Sequence, residues 1–227
     1  MSSKKKKIVI VVSIFPQVSE TFIVSKFLGL LARGWDIHIL CNRINHKAWS
    51  LFPELVEKSK SKERIHQTWP VHPRWLVPFL MIPALVYCLV SAPRSTLRYL
   101  RSGWPRFGTG VFKRFYLDVP LIRLGPEILH FEFGSLAVGR TYLKALLECK
   151  LSLSFRGFDL NYIGLDQKDF YGDIWKMVDA VHFLGEDLYR RSLKRGAPQD
   201  LPHVLIPPAI ELSAFPEPAE RSMDKLG

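Results

Sequence analysis

Apolar residues along this chain gather into short unbroken runs separated by segments of helical period. Ile8 to Ile14 reads IVIVVSI, a β-branched run almost without polar alternation, and it ends at Phe15-Pro16. Such a run predicts a strand buried on both faces, as in a parallel sheet. Ser19 then offers a helix N-cap with Glu20 in the first turn, and Ile23, Phe27, Leu30 and Leu31 share one helical face until Gly34. Asp36 to Cys41 alternates Ile37, Ile39 and Cys41 with polar neighbours, a second strand. Strand, helix and strand within about 35 residues make one βαβ unit.

The regular pattern returns after Gly125-Pro126. Strands are predicted over Ile128 to Phe133, Leu151 to Phe155, Ala180 to Leu184 and Val204 to Ile206. Between them lie a helix capped by Ser135 and running to about Leu147, one over Phe170 to Met177, and one from Glu186 to Gly196. Strands alternating with helices predict an α/β fold with a mostly parallel, Rossmann-like sheet and right-handed crossovers, helices lying on both faces.

The middle of the chain breaks this rhythm. Ser50 to Gln67 is polar and charged, a helix or a mobile excursion, and Trp75 to Pro93 runs 19 residues without a charge. A membrane-spanning helix needs about 20 apolar residues, so three readings stay open: a span, a hairpin inserted into a membrane surface, or buried core helices. Pro78 and Pro83 interrupt the run, and a span would place the first βαβ unit and the later strands on opposite sides of a membrane.

Charge sharpens the picture. The net charge is +11, and between Val71 and Gly125 eight Arg or Lys stand against one acid, Asp118. Arg94, Arg98, Arg101 and Arg106 follow the apolar run at near-helical spacing, which suits anionic headgroups or a solvated helix face. No nucleic-acid-binding module is recognisable, so charge alone does not make nucleic acid a partner. Lys4 to Lys7 precede an apolar run that is short for a signal peptide and lacks a small-residue cleavage site before Pro16, which favours a flanked first strand. Cys41, Cys88 and Cys149 are too far apart for a CxxC site or a disulfide scaffold and suit a reducing cytosol. The histidines lack HExxH pairing.

In open parallel sheets ligands bind beyond the carboxyl ends of the strands. That rule selects Phe15 to Ser19, Glu132 to Ser135, Arg156 to Asn161, Gly185-Glu186 and Pro207 to Glu211, a set rich in polar and ionised side chains. The first of these loops, FPQVSETF, contains no glycine, which excludes the dinucleotide fingerprint. A P-loop and a GxSxG nucleophile elbow are absent as well.

The same loops carry a resemblance. FPQVSETFIVSKFLGLLARGWDIHIL resembles the opening of family 4 glycosyltransferases of the GT-B fold, where FPxxSETFI is followed by RGxxV/I. PEILHFEFGSLA is similar to that family's D-x-x-H-x-H-F-G, and LSLSFRGFDL to its F-H-G-x-D. VDAVHFLGEDLYRRSLKRGAP resembles the strand and helix opening on S-E, and VLIPPAIELSAF resembles v-I-P-x-G-v-D-x-x-x-F. Each motif is weak alone; their order along nearly the whole chain carries the likeness.

The resemblance implies an N-terminal acceptor-binding domain over residues 1–212 with an apolar and basic insertion at about 71–125, and a linker or truncated tail at 213–227. It implies a separate or missing C-terminal donor domain, whose E-x7-E glutamate pair is not found here. It implies transfer of a hexosyl group from a nucleotide sugar to a glycan or lipid-linked acceptor, with retention at the anomeric carbon, in polysaccharide or cell-envelope synthesis. No metal and no cofactor beyond the nucleotide-sugar co-substrate is expected. The expected location is cytoplasmic, peripheral to the inner membrane face.

By position in these motifs the candidate catalytic residues are Arg156 and Asp159, and the candidate substrate-binding residues are Ser19, Glu20, Thr21, Glu132, Gly134, Gly185 and Glu186. Arg156 replaces the motif histidine, and Glu132 replaces the second histidine of H-x-H-F-G. An arginine stays protonated and is no general base, but it can hold a phosphate or carboxylate. Plainer readings stay open: a structural Arg156–Glu132 ion pair, a packing role for His130, loop-turning by Asp159, and capping by Ser19, Glu20 and Glu186. The alternative to an enzyme half is a catalytically silent acceptor-binding or assembly module.

Overall fold

A computed structural model describes residues 6–57, 61–70 and 76–208. Lys4, Lys5, Arg74, Trp75, the loop end 209–211 and the linker 213–227 lie outside the described residues. In chain order the elements are β1 (Lys7–Phe15), α1 (Thr21–Ala32), β2 (Asp36–Ile44), α2 (Pro53–Glu57), β3 (Ile65–Gln67), α3 (Val77–Ser91), α4 (Pro93–Phe107), α5 (Gly110–Leu124) and β4 (Ile128–Phe131). They continue as α6 (Gly134–Ala137), α7 (Leu143–Leu147), β5 (Lys150–Phe155), α8 (Gly157–Tyr162), α9 (Gly172–Met177), β6 (Ala180–Phe183), α10 (Glu186–Lys194) and β7 (His203–Leu205).

The seven strands form one sheet in the order β3-β2-β1-β4-β5-β6-β7, and every neighbouring pair is parallel. The fold is the expected α/β, Rossmann-like one. Strand order reverses between β1 and β4, and a crevice at such a switch point is where this architecture takes ligands.

Side chains alternate across each strand, so the two faces of β1 feed two cores. Val9 and Val11 join a cluster with Leu129, Phe131, Leu151, Leu153, Phe155, Val181 and Phe183, covered by α3–α5, α7 and α9. Ile10 and Val12 join Ile37, Ile39 and Cys41 beneath Ile23, Val24 and Phe27 of α1. Burial on both sides is why the first run shows no polar alternation.

Several expectations need correction. The polar stretch after Ser50 contains a short helix and the edge strand β3, which pairs Ile65 with Ile39. With three residues and one buried side chain, β3 leaves almost no period to read. The helix expected from Ser135 to Leu147 is two pieces, because Val138 is extended and Gly139 takes a left-handed φ of 69°. Ser19 does not cap α1. It lies in a 3-10 turn closed by the Glu20 N–H on the Gln17 carbonyl, and its hydroxyl accepts from Gln17 Nε2 at 2.8 Å.

The described part of the apolar run is half buried, with one side on the core and the other exposed. No helix among the described residues is long and apolar enough to cross a membrane. The helix α3 buries Ala84 and Cys88 against the sheet cluster, whereas Phe79, Ile82 and Val90 are 71%, 70% and 80% exposed. Pro83 is accommodated inside it: the hydrogen bond that its nitrogen forgoes would have ended on the carbonyl of solvent-facing Phe79. The insertion is anchored by Asp118 of α5, whose Oδ2 accepts from Tyr99 at 2.7 Å and Tyr142 at 2.8 Å.

On β2 and β3, His38 Nδ1 meets His66 Nε2 at 3.0 Å, and burial, with the charges of His38, Arg123 and Lys7, pushes the His66 pKa down to about 4. The unfolded chain takes up this proton near 6.5 and the native chain resists it, so stability is full above pH 6.5 and declines as pH falls toward about 4. Melting temperatures measured between pH 7 and pH 4.5 will therefore fall, and the slope will be shallower in His66→Gln.

Candidate functional site

The crevice at the switch point is built around Glu132, the residue after β4, whose side chain has no solvent exposure. Lys26 Nζ donates to Glu132 Oε2 at 2.6 Å, and Arg156 Nη2 donates to Oε1. His130 Nε2 lies 3.5 Å from Oε2. The bonds from His130 and Lys26 overcome burial and hold the Glu132 carboxyl far below the usual carboxylate range. Burial acts the other way on His130 and keeps its imidazole neutral.

Lys26 reaches this point from α1, where it stands four residues after Phe22 on the same helix face. Phe22 supplies a second constraint, since the Arg156 guanidinium lies 3.9 Å from its ring centroid. Arg156 is thus fixed by a carboxylate and an aromatic face. Its Nε is buried without a partner among the described residues.

Glu20 Oε2 is likewise buried with no partner among the described residues. Burial and repulsion from Glu132 raise the Glu20 pKa, and Arg156 offsets part of that. Glu20 Oε2 lacks a donor and the Arg156 Nε–H lacks an acceptor, and a hydroxyl is a group that supplies both functions.

Asp159 is 1% exposed and serves the scaffold. Its Oδ2 accepts the Arg156 N–H at 3.1 Å and its Oδ1 accepts the Ser135 N–H at 2.9 Å, which ties the loops after β4 and β5 together. Gly134 sits against the same loop, where a Cβ would run into the Phe155 ring. Gly185 opens on free space, Glu186 is exposed and pairs with Arg190 at 3.2 Å, and Ser19 and Thr21 are exposed at the start of α1. The structure therefore brings Glu20, Glu132 and Arg156 together, with Asp159 and Gly134 beneath them. Glu186 makes no bond to that group.

Sequence reasoning missed Lys26 and Phe22. Their spacing on α1, one turn apart and off the buried face of Ile23 and Phe27, is the signal that marks them. It also missed a polar row across β4–β7: Ser152 Oγ to His130 Nδ1 at 2.9 Å, His130 Nε2 to Ser154 Oγ at 3.2 Å, Ser154 Oγ to His182 Nδ1 at 2.9 Å, and His182 Nε2 to the Ile206 carbonyl at 3.0 Å. The register pairs Ile10 with His130, so this row continues the face that is apolar on β1 and β2. Among the described residues no group of acids, cysteines and histidines has the arrangement of a metal site.

Removing one member of the charge cluster strands the others. Glu132→Gln leaves the half-buried Lys26 and Arg156 without their shared counter-charge and will cost about 3 kcal/mol; Lys26→Met, with Arg156 still present, will cost about 1–2 kcal/mol. Urea unfolding midpoints at an unchanged denaturant slope measure both.

No known protein family's sequence profile matches this chain, and no curated protein matches it. Among solved structures the chain is similar to the crystal structure of Acinetobacter baumannii MurG, at 10% identity and a TM-score of 0.41, over 93% of this chain and 48% of that one. The chain spans about half the length of that structure.

Proposed function

We propose that this chain is the acceptor-binding half of a GT-B glycosyltransferase that moves a hexosyl group from a nucleotide sugar to a lipid-linked or polysaccharide acceptor. The observation that carries the proposal is the pair of buried atoms at the switch point, Glu20 Oε2 and Arg156 Nε, that have no partner among the described residues. The resemblance of the sequence motifs to family 4 enzymes supports this reading, since it implies a substrate-contacting role for the same residues.

In this reading an acceptor hydroxyl donates to Glu20 and accepts from Arg156. The raised Glu20 pKa brings that carboxyl nearer to neutral pH, where it can hold or take up a proton. Glu132 is too strongly held by cations to act as a base. Its work is to fix Arg156, whose remaining N–H groups offer positive charge to a departing diphosphate. Retention and metal independence are carried over from the resemblance, as is the need for a donor domain on a partner or a longer chain. Sugar transfer will be detected when a family-type donor domain is supplied, and Arg156→Ala will lower it by about a hundredfold.

A membrane-facing role fits the same reading. On α3, Phe79, Ile82, Val86 and Val90 are exposed, and Arg94 and Arg101 are exposed on α4 with no partner among the described residues, while Arg98 is engaged by Glu148 at 2.9 Å. Apolar side chains beside cations suit an anionic membrane surface, and such contact would keep the chain at the inner face of a membrane with its acceptor. Sedimentation with anionic vesicles will retain the chain, zwitterionic vesicles will retain it less, and Phe79→Ser with Ile82→Ser will release it.

The alternative, a silent acceptor-binding or assembly module, is favoured by one observation: the charge of Arg156 is already matched by Glu132. Hydroxyl-ligand binding that survives while no donor domain restores transfer would select it.

A further inference from the structure

We propose that the cavity between the carboxyl ends of β2 and β3 and the first turns of α5 binds a phosphorylated sugar, at a site separate from the Glu132–Arg156 crevice. Its volume is about 710 Å³, within the span of about 300–1,000 Å³ that small-molecule sites occupy. Asn42, Gln67 and Thr68 line it from the strand ends, Lys113 and Arg114 from α5, and Arg140 from the segment after α6. It therefore opens on the carboxyl edge of the sheet.

Three cations face this space against one carboxylate, and that carboxylate is already engaged. Asp118 spends Oδ2 on the Tyr99 and Tyr142 hydroxyls, and its Oδ1 faces Arg140 Nη2 at 3.7 Å. Burial raises its pKa, and Arg140 and the two tyrosine hydroxyls offset part of that. Lys113 has no hydrogen-bond or ion-pair partner among the described residues. Arg114 lies 4.0 Å from the Phe107 ring centroid and donates to the Gly110 carbonyl at 3.4 Å. Arg140 lies 5.4 Å from the Phe131 ring centroid. Arg114 is thus held by aromatic faces and Arg140 by an aromatic face and a buried carboxylate, with N–H groups left over; such planar donors match phosphate oxygens.

The rest of the lining supplies what a sugar needs. Gln67 is fixed by donating to the Asn42 carbonyl at 3.1 Å, and the Asn42 amide and Thr68 hydroxyl add donors and acceptors. Trp69 gives an aromatic wall, braced by Tyr116 at 5.2 Å and Tyr87 at 6.2 Å between ring centroids. Cations at one side with amides and an indole at the other discriminate a sugar phosphate from either a bare sugar or a bare hydrocarbon. The site does not depend on the transfer reaction proposed above.

Isothermal titration of the full chain with glucose 1-phosphate tests it. Binding is expected for glucose 1-phosphate and not for glucose, and Lys113→Gln, an exposed and unbonded position, is expected to weaken it about tenfold. Arg140→Lys, which keeps a charge near Asp118, should weaken it too with the circular dichroism spectrum unchanged. Lys168→Gln with Lys194→Gln, two exposed cations elsewhere, should leave it as it was. Displacement of bound glucose 1-phosphate by phosphatidylinositol in phosphatidylcholine vesicles would identify the source as a lipid headgroup; no displacement would identify a free sugar phosphate. Failure of the wild-type chain to bind glucose 1-phosphate, equal binding by Lys113→Gln, or an equal loss in the distant double variant would overturn the proposal.

Discussion

Glu132 is an ionised carboxylate without solvent exposure, and the arrangement of the carboxyl edge follows from what it takes to keep it there. Removing such a group from water costs several kcal/mol unless partners replace the lost hydration. Here Lys26 comes from α1, Arg156 from the end of β5, and His130 from β4 itself. Electrostatics thus locks α1 onto the reversal point of the sheet, where the apolar contacts of α1 lie mainly over β1 and β2. Asp159 does for the backbone what Glu132 does for the side chains, since its two oxygens bind the loops after β4 and β5 at once.

One consequence is chemical. A carboxylate stabilised by several donors is a poor base, and an arginine beside it is never one. The group left with unsatisfied bonding capacity is Glu20, with Arg156 Nε opposite it in character. The crevice thus keeps one buried acceptor and one buried donor unsatisfied beside a neutralised ion pair.

A second consequence concerns the insertion. The helices α3–α5 cover one face of the sheet, and their own outer surface stays apolar on α3 and basic on α4. At the inner side of the same insertion, Asp118 gathers two tyrosine hydroxyls and Arg140, and this buried tie shapes the wall of the basic cavity. The positive charge concentrated in this part of the sequence is therefore divided between the outer face of α4 and the open cavity beside α5.

By itself the sequence determined the parallel α/β class, the position of the principal strands and the loops that form the carboxyl edge, because strand burial on two faces and helical period are local patterns. It also pointed to Glu20, Glu132 and Arg156. It did not disclose β3, whose three residues carry too little period, or the break at Gly139, which depends on a backbone angle. Nor could it decide whether the charge-free run was spanning, inserted or buried, since that rests on which side of α3 meets the sheet. Only tertiary structure brought Lys26 to Glu132 across 106 positions of chain and set Asp118 between Tyr99 and Tyr142. Ionic and hydrogen-bond partners are chosen by proximity in space, and residues far apart in sequence carry no local sign of the contact that the fold will give them.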